Sequence, residues 1–181
     1  MSELFEKLVS SEKLYNGKVL SMRKDIVSLP NGKEASREVV EHNGAVGVVA
    51  VTENNEVVLV KQFRAGIRKV TLELPAGKLE IGEDPLECGK RELQEETGFI
   101  AKSFNKLTQI ATSPAILEEI IYIYLAQDLS LGNTNPDEDE FVETIICSFD
   151  EAKQKIINNE IIDAKTITGI LLADIILNEK R

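Results

Sequence analysis

Glu92, Glu95 and Glu96 stand at i, i+3 and i+4, so on a helix three carboxylates project from one face. Each close pair repels by about 0.2–0.5 kcal/mol, and something cationic should offset it. Lys90 and Arg91 lie to the side, with Arg91 spaced to pair with Glu87 and Glu95, which relieves only part of the repulsion. A hard divalent cation such as Mg²⁺, which takes oxygen ligands and keeps waters and substrate phosphates in its shell, would relieve the rest. An isolated Glu-x-x-Glu-Glu run is more often a solvated helix face, so the surrounding residues must decide.

The helix that would carry these groups marks both of its ends. Asp84 can cap a first turn opening with Pro85, whose missing N–H costs nothing there, and Glu87 at the third position can reciprocate in a capping box. Gly98 can take the left-handed conformation that closes it. A carboxylate-lined helix preceded by a loop with Gly77 and Gly82 suits metal-assisted attack on a diphosphate. The metal would neutralise bridging oxygens and acidify an attacking water.

Other elements follow from pattern. Residues 1–10 read as weakly helical or irregular, and residues 13–29 as mixed extended chain ending at Pro30-Asn31-Gly32, a hairpin turn into residues 35–41. Residues 45–51 are almost wholly apolar, a strand covered on both faces, and residues 57–63 return beside it after Glu53-Asn54-Asn55. Residues 64–71 form a basic connector, and 71–75 an extended lead into Gly77. Strands are expected over 102–110, 120–126 and 143–147, with Tyr122 and Tyr124 in the core. Ser148 and Glu151 make a capping box for a helix through Asn158. The final helix, from Ala164 to Leu177, is apolar on almost every side and should be buried, with Asp174 needing an edge or a partner. Hairpins with an embedded crossover describe an α/β/α sandwich around a mixed sheet, preceded by a small N-terminal antiparallel β-module.

A chain of 181 residues supports one sizeable core with a small appendage. A net charge of −10 argues against nucleic-acid binding, and no apolar run is long enough for a membrane span. It also means that metal ions and a few placed cations must attract any phosphorylated substrate. The first residues, Met-Ser-Glu-Leu-Phe-Glu-Lys, lack the features of a secretory signal, which makes the cytoplasm the default. Cys88 and Cys147 have no metal spacing and read as idle thiols.

Gly77, Glu83, Arg91, Glu92, Leu93, Glu95, Glu96, Gly98 and Phe99 match the pattern Gly-x5-Glu-x7-Arg-Glu-U-x-Glu-Glu-x-Gly-U, where U is bulky and apolar. In these nine positions the chain resembles the Nudix hydrolases. The resemblance implies the same sandwich fold and a divalent metal, Mg²⁺ with Mn²⁺ as a possible substitute. It makes Glu92 and Glu96 the principal metal ligands, with Glu95 a further ligand and the Ala76 carbonyl beside them. Arg91 would orient the carboxylates, Glu83 would support the loop, and Lys78 would join the substrate-binding residues.

Pro114, sixteen residues beyond Gly98, is spaced as in the ADP-ribose pyrophosphatases of that family. Residues 37–42, Gly44-Ala45-Val46, Gln62-Phe63-Arg64, Glu73-Leu74-Pro75-Ala76-Gly77 and Asp163-Ala164-Lys165-Thr166 also resemble that branch. It implies a homodimer in which residues 1–42 complete the partner's adenine-side pocket, with residues 43–181 as the hydrolase domain. Arg37, Glu38 and His42 would act there, with Arg64 at phosphate and Ser113, Pro114, Ala115 and Glu119 at the terminal ribose. The branch usually has Ser-Pro-Gly where this chain has Ser113-Pro114-Ala115. A base is implied in the acidic loop 137–140, where Glu138 and Glu140 compete; Glu138 is assigned as base and Glu140 as a metal contact. His42 reads as a pocket wall rather than a catalyst. The expected reaction is hydrolysis of ADP-ribose to AMP and ribose 5-phosphate. Another nucleotide sugar, a dinucleotide, an oxidised nucleoside triphosphate or a non-catalytic ADP-ribose-binding module are the alternatives.

Overall fold

The computed structural model describes residues 4–133 and 141–179, which form two compact units. The first comprises Met1–Gly44 with Ala111–Ile120, the second Ala45–Ile110 with Ile121–Arg181.

In the first unit β1 (Lys7–Asn16), β2 (Ser21–Ser28) and β3 (Glu34–Glu41) form an antiparallel sheet in that order. The β2–β3 hairpin turns at Pro30-Asn31-Gly32 as expected, with Gly32 at φ 81 and its N–H donating to the Leu29 carbonyl. The start of the chain departs from the sequence reading, since Lys7–Ser10 are strand rather than helical or irregular. Register shifts between Leu8 and Ser10 and between Lys13 and Tyr15 break the period-2 alternation, which hides the strand from pattern analysis. A turn closed by Gly17 N–H on the Leu20 carbonyl splits the expected 13–29 segment in two. Residues 116–118 join this unit through Val40, whose N–H donates to the Ile116 carbonyl and whose carbonyl accepts from Glu118 N–H.

Among the described residues the second unit holds a seven-stranded mixed sheet and three helices. Its elements are β4 (Ala45–Val51), β5 (Glu56–Arg64), β6 (Lys69–Glu73), β7 (Ala76–Lys78), α1 (Pro85–Thr97), β8 (Phe99–Ala111), β9 (Ile120–Leu131), β10 (Glu143–Ser148), α2 (Phe149–Ile157) and α3 (Ala164–Glu179). The strand order is β10-β5-β4-β9-β8, with β6 on β5 and β7 on β4. β4 runs parallel to β9 and antiparallel to β5 and β7. All seven β4 residues are buried, because alternate side chains meet helices on opposite faces. Val46, Val48 and Ala50 pack with Cys88 and Leu93 of α1, whereas Val49 and Val51 pack with Phe149, Ala152, Ile170 and Ala173 of α2 and α3. This is the α/β/α sandwich that the pattern describes.

The basic connector is instead a tight hairpin. Residues 65–68 turn, with Arg68 at φ 52, and β6 returns along β5 with Lys69 opposite Arg64. In α3 the inward residues include Gly169, where a Cβ would lie 2.7 Å from Leu74 Cδ1, so the helix sits close on the sheet. Its outer side departs from expectation: Leu171 and Ile175, one turn apart, are exposed rather than buried. Asp174 finds its partner in Lys153 Nζ of α2 at 2.9 Å. The Ser148–Glu151 capping box forms in full at α2.

Candidate active site

Two backbone features bring α1 and the strip before it together. The Pro75 carbonyl accepts from Val48 N–H at 2.9 Å, and β7 sets Ala76 opposite Gly47 and Gly77 opposite Val46. α1 starts at Asp84, whose Oδ1 accepts from Leu86 N–H at 2.8 Å and Glu87 N–H at 3.3 Å, and it ends at Gly98 with φ 74. Only the Asp84 half of the expected box is seen, because the Glu87 carboxylate accepts from Lys90 Nζ at 2.7 Å.

The glutamates do not all face water. Glu92 is 8% exposed and Glu96 4%, both turned onto the Ala76–Gly77 strip, while Glu95 is half-buried. Glu96 Oε2 accepts from Ala76 N–H at 3.0 Å. A Cβ built at Gly77 would overlap the Glu92 carboxylate, which explains the glycine at this position without invoking unusual torsions. Gly77→Ala should therefore push Glu92 out of place. We expect kcat to fall by about 10²-fold, a misplacement of roughly an ångström being enough, with the circular-dichroism spectrum unchanged; steady-state kinetics check this.

Arg91 organises the acids. Its Nε and Nη2 meet the two Glu83 oxygens at 3.1 and 3.3 Å, and its Nη1 bonds Glu92 Oε1 at 2.8 Å and Glu95 Oε2 at 2.9 Å. Glu87, the other expected partner, is not among these contacts, because Lys90 holds it and the guanidinium turns toward the loop. Burial works against charge on Arg91, but Glu83, Glu92 and Glu95 outweigh it and raise its pKa. Burial likewise opposes ionisation of Glu83, yet Arg91 and the Glu80 N–H hold its pKa below the usual value. The neighbouring Cys88 thiol is pushed up to about 12 by burial and by Glu83 and Glu92, which suits a packing residue and not a nucleophile.

Among the described residues no three acids, histidines or cysteines form a ready-made metal cage. The donor chemistry nonetheless fits a hard divalent ion: Glu92, Glu95 and Glu96 offer carboxylate oxygens from one helix face, and Mg²⁺ commonly uses one or two carboxylates with waters and phosphate.

Behind the strip lies a buried charge network that the sequence alone did not disclose. Glu73, only 2% exposed, accepts from Arg64 Nε at 2.8 Å, Arg64 Nη2 at 2.7 Å, Thr71 Oγ1 at 2.6 Å and Lys165 Nζ. Burial alone would raise its pKa, but Arg64, Lys165 and Thr71 lower it to about 2. Arg64 is thus held bidentate while its side chain stays partly exposed. The signal that could have found this network was Lys165 at the start of a largely apolar helix, a charge that needs a buried partner.

The remaining predicted residues in the described chain divide between the units. Lys78 is exposed on β7, its carbonyl near Cys88 Sγ at 3.6 Å. In the first unit His42 Nδ1 accepts from Gly44 N–H at 3.1 Å and lies 3.5 Å from Glu119 Oε1, and Thr112 Oγ1 donates to Glu119 Oε2 at 2.8 Å. The Ser113 carbonyl accepts from Ile116 N–H at 3.0 Å and Leu117 N–H at 2.9 Å, folding a turn that exposes Pro114 and Ala115. Arg37 is engaged by Glu6 at 2.6 Å, and Glu38 is exposed opposite Lys24. Glu138 and Glu140 lie outside the described residues. A hollow of about 510 Å³ in the second unit, bounded by Lys61, Phe63, Val70, Phe141 and Glu143, contains none of the α1 carboxylates.

Residues 41–168 match the NUDIX domain, and residues 6–40 match the nucleoside diphosphate sugar hydrolase N-terminal domain. The chain is 43% identical over 172 residues to the ADP-ribose pyrophosphatase of Bacillus subtilis (strain 168), covering 94% of this chain and 93% of the relative. It is 44% identical over 173 residues to the methanol dehydrogenase activator of Bacillus methanolicus, covering 94% of each. A crystal structure of an ADP compounds hydrolase superposes with a TM-score of 0.87 over 99% of this chain and 98% of its own, at 20% identity, which shows a shared fold. With the domain match spanning most of the sequence and the glutamate helix seated against Gly77, the chain belongs to the Nudix family.

Proposed function

We propose that the chain hydrolyses ADP-ribose to AMP and ribose 5-phosphate with Mg²⁺ as its metal and Mn²⁺ as a substitute. The observation that carries the reading is the pairing of Glu92 and Glu96, buried against Ala76–Gly77 and flanked by an Arg91 that Glu83 anchors. A solvated glutamate face would not turn two of its carboxylates inward onto a backbone strip. The substrate is supported by the relative from Bacillus subtilis, named ADP-ribose pyrophosphatase.

In this reading Glu92, Glu95 and Glu96, with the Ala76 carbonyl, would hold the metal, which when bound would supply neutralisation of diphosphate charge and a lowered pKa for the attacking water. Arg91 keeps the carboxylates in register. Arg64, oriented by Glu73, presents its exposed edge to a phosphate, and Lys78 adds a further cation. Glu138 takes the proton from water and Glu140 adds a metal contact. Arg37, Glu38, His42, Ser113, Pro114, Ala115 and Glu119 bind the nucleoside and ribose ends. The working form is a cytoplasmic homodimer in which the module of residues 1–42 serves the partner's site. Its support is β1, on which every residue is exposed, including Leu8, Val9, Leu14 and Tyr15.

Incubating the purified chain with ADP-ribose and Mg²⁺, then with a phosphatase, should release phosphate, because both products are phosphomonoesters and the substrate is not. ADP-ribose should outpace GDP-mannose, ADP-glucose, dinucleotides and oxidised nucleoside triphosphates on the same panel. No release from ADP-ribose alongside cleavage of another member would replace the substrate and keep the reaction class. The activator from Bacillus methanolicus supports a second reading, in which the chain stimulates a dehydrogenase. Stimulation of such an enzyme without ADP-ribose cleavage would favour it.

A further inference from the structure

The N-terminal end of α3 is clasped to the strip that carries the carboxylate site. Asp163 Oδ2 accepts from Thr166 N–H at 3.0 Å, Thr166 Oγ1 at 2.6 Å and Lys165 Nζ at 3.0 Å. Thr166 Oγ1 in turn accepts from Leu74 N–H at 2.9 Å, and Lys165 Nζ donates to Glu73. Lys165 and Thr166 are 7% and 0% exposed, so these bonds are shielded from water. From Leu74 the strip runs through Pro75, tied to Val48, to Ala76, whose N–H reaches Glu96, and to Gly77, against which Glu92 rests. Only three residues, Leu74, Pro75 and Ala76, therefore separate the Lys165 contact on Glu73 from the Glu92 contact on Gly77. So short a segment, pinned at both ends and tied to Val48 at Pro75, has little freedom to shift at one end without the other.

We propose that Lys165 is a positioning residue which, through Glu73, sets the Leu74–Gly77 strip at the height that holds Glu92 and Glu96 ready for a divalent ion. Thr166 fixes the same strip through Leu74. The role rests on the metal-dependent reading above, and it assigns a function to two residues far in sequence from the glutamate helix. It goes beyond stability: loosening this clasp changes cation affinity at the carboxylates even in a fully folded protein.

The test is binding of Mn²⁺ alone, followed by the electron paramagnetic resonance of free Mn²⁺, with no nucleotide present. Lys165→Met should weaken Mn²⁺ binding about tenfold, the range seen when groups supporting a metal's ligands are removed. The double variant Lys165→Met, Glu73→Gln should be no weaker than Lys165→Met, because Met at 165 has already cut the link to Glu73 and the Gln oxygen can still accept from Arg64. Ile161→Val, a buried change on the same side of the sheet that alters no bond of the clasp, should stay within twofold of the native chain. If Lys165→Met does not fold, Thr166→Val decides, since it keeps the shape and removes only the hydroxyl; it too should weaken binding. Native-like Mn²⁺ affinity in a folded Lys165→Met or Thr166→Val, or an equal loss in Ile161→Val, overturns the positioning role alone. Failure of the native chain to bind Mn²⁺ overturns the metal-dependent reading with it. Failure to cleave ADP-ribose while Mn²⁺ binding follows the expected order leaves the clasp standing.

Discussion

Glu96→Gln is expected to lower kcat on ADP-ribose by about 10²–10³-fold, comparable to losing one group that stabilises charge in the transition state. The change is nearly isosteric. Its amide oxygen can still accept from Ala76 N–H, the bond Glu96 makes at 3.0 Å, so the fold should persist. What disappears is a negative charge held at 4% exposure, where charge acts through little intervening water. Half-saturation by Mg²⁺ should rise in parallel, measured by titrating the metal at fixed ADP-ribose. Turnover equal to that of the native chain would remove Glu96 from the reaction.

The second large effect concerns stability. Glu73→Ala leaves Lys165 buried with only Asp163 beside it and frees Arg64, and breaking a buried pair in this way costs about 3–5 kcal/mol. Acid should reproduce part of that loss in the native chain. The Glu73 pKa is depressed in the fold from 4.5 to about 2, so its contribution is complete above pH 5 and drains as pH falls from 4.5 toward 2. At 1.36 kcal/mol per pH unit the contribution is on the order of 3 kcal/mol. Urea denaturation at pH 7 and pH 3 should show a wide gap between native chain and variant that narrows in acid. A gap independent of pH would deny Glu73 its charged role.

Much of the site was legible because its chemistry sits on one helix, where spacing alone puts Glu92, Glu95 and Glu96 together and Asp84 and Gly98 set the limits. Both faces of β4 were readable for a similar reason, since seven apolar residues leave little else to be. Legibility failed where sequence distance was large or alternation was broken. The register shifts in β1 disguised a strand, and the Arg68 turn disguised a hairpin. No pattern rule pairs Lys165 with Glu73 across 92 positions. Nor does spacing choose among partners already in reach: Arg91 could meet Glu87 or Glu83, and the capture of Glu87 by Lys90 goes with the choice of Glu83.

That choice leaves Nη1 of Arg91 lodged between Glu92 and Glu95. The acidic helix thus carries an internal counterion, and a divalent ion arriving at those two side chains would share them with a guanidinium instead of filling a gap. Its apparent affinity is then a difference between two ionic states, so tightening the arginine's grip would slacken the protein's hold on metal.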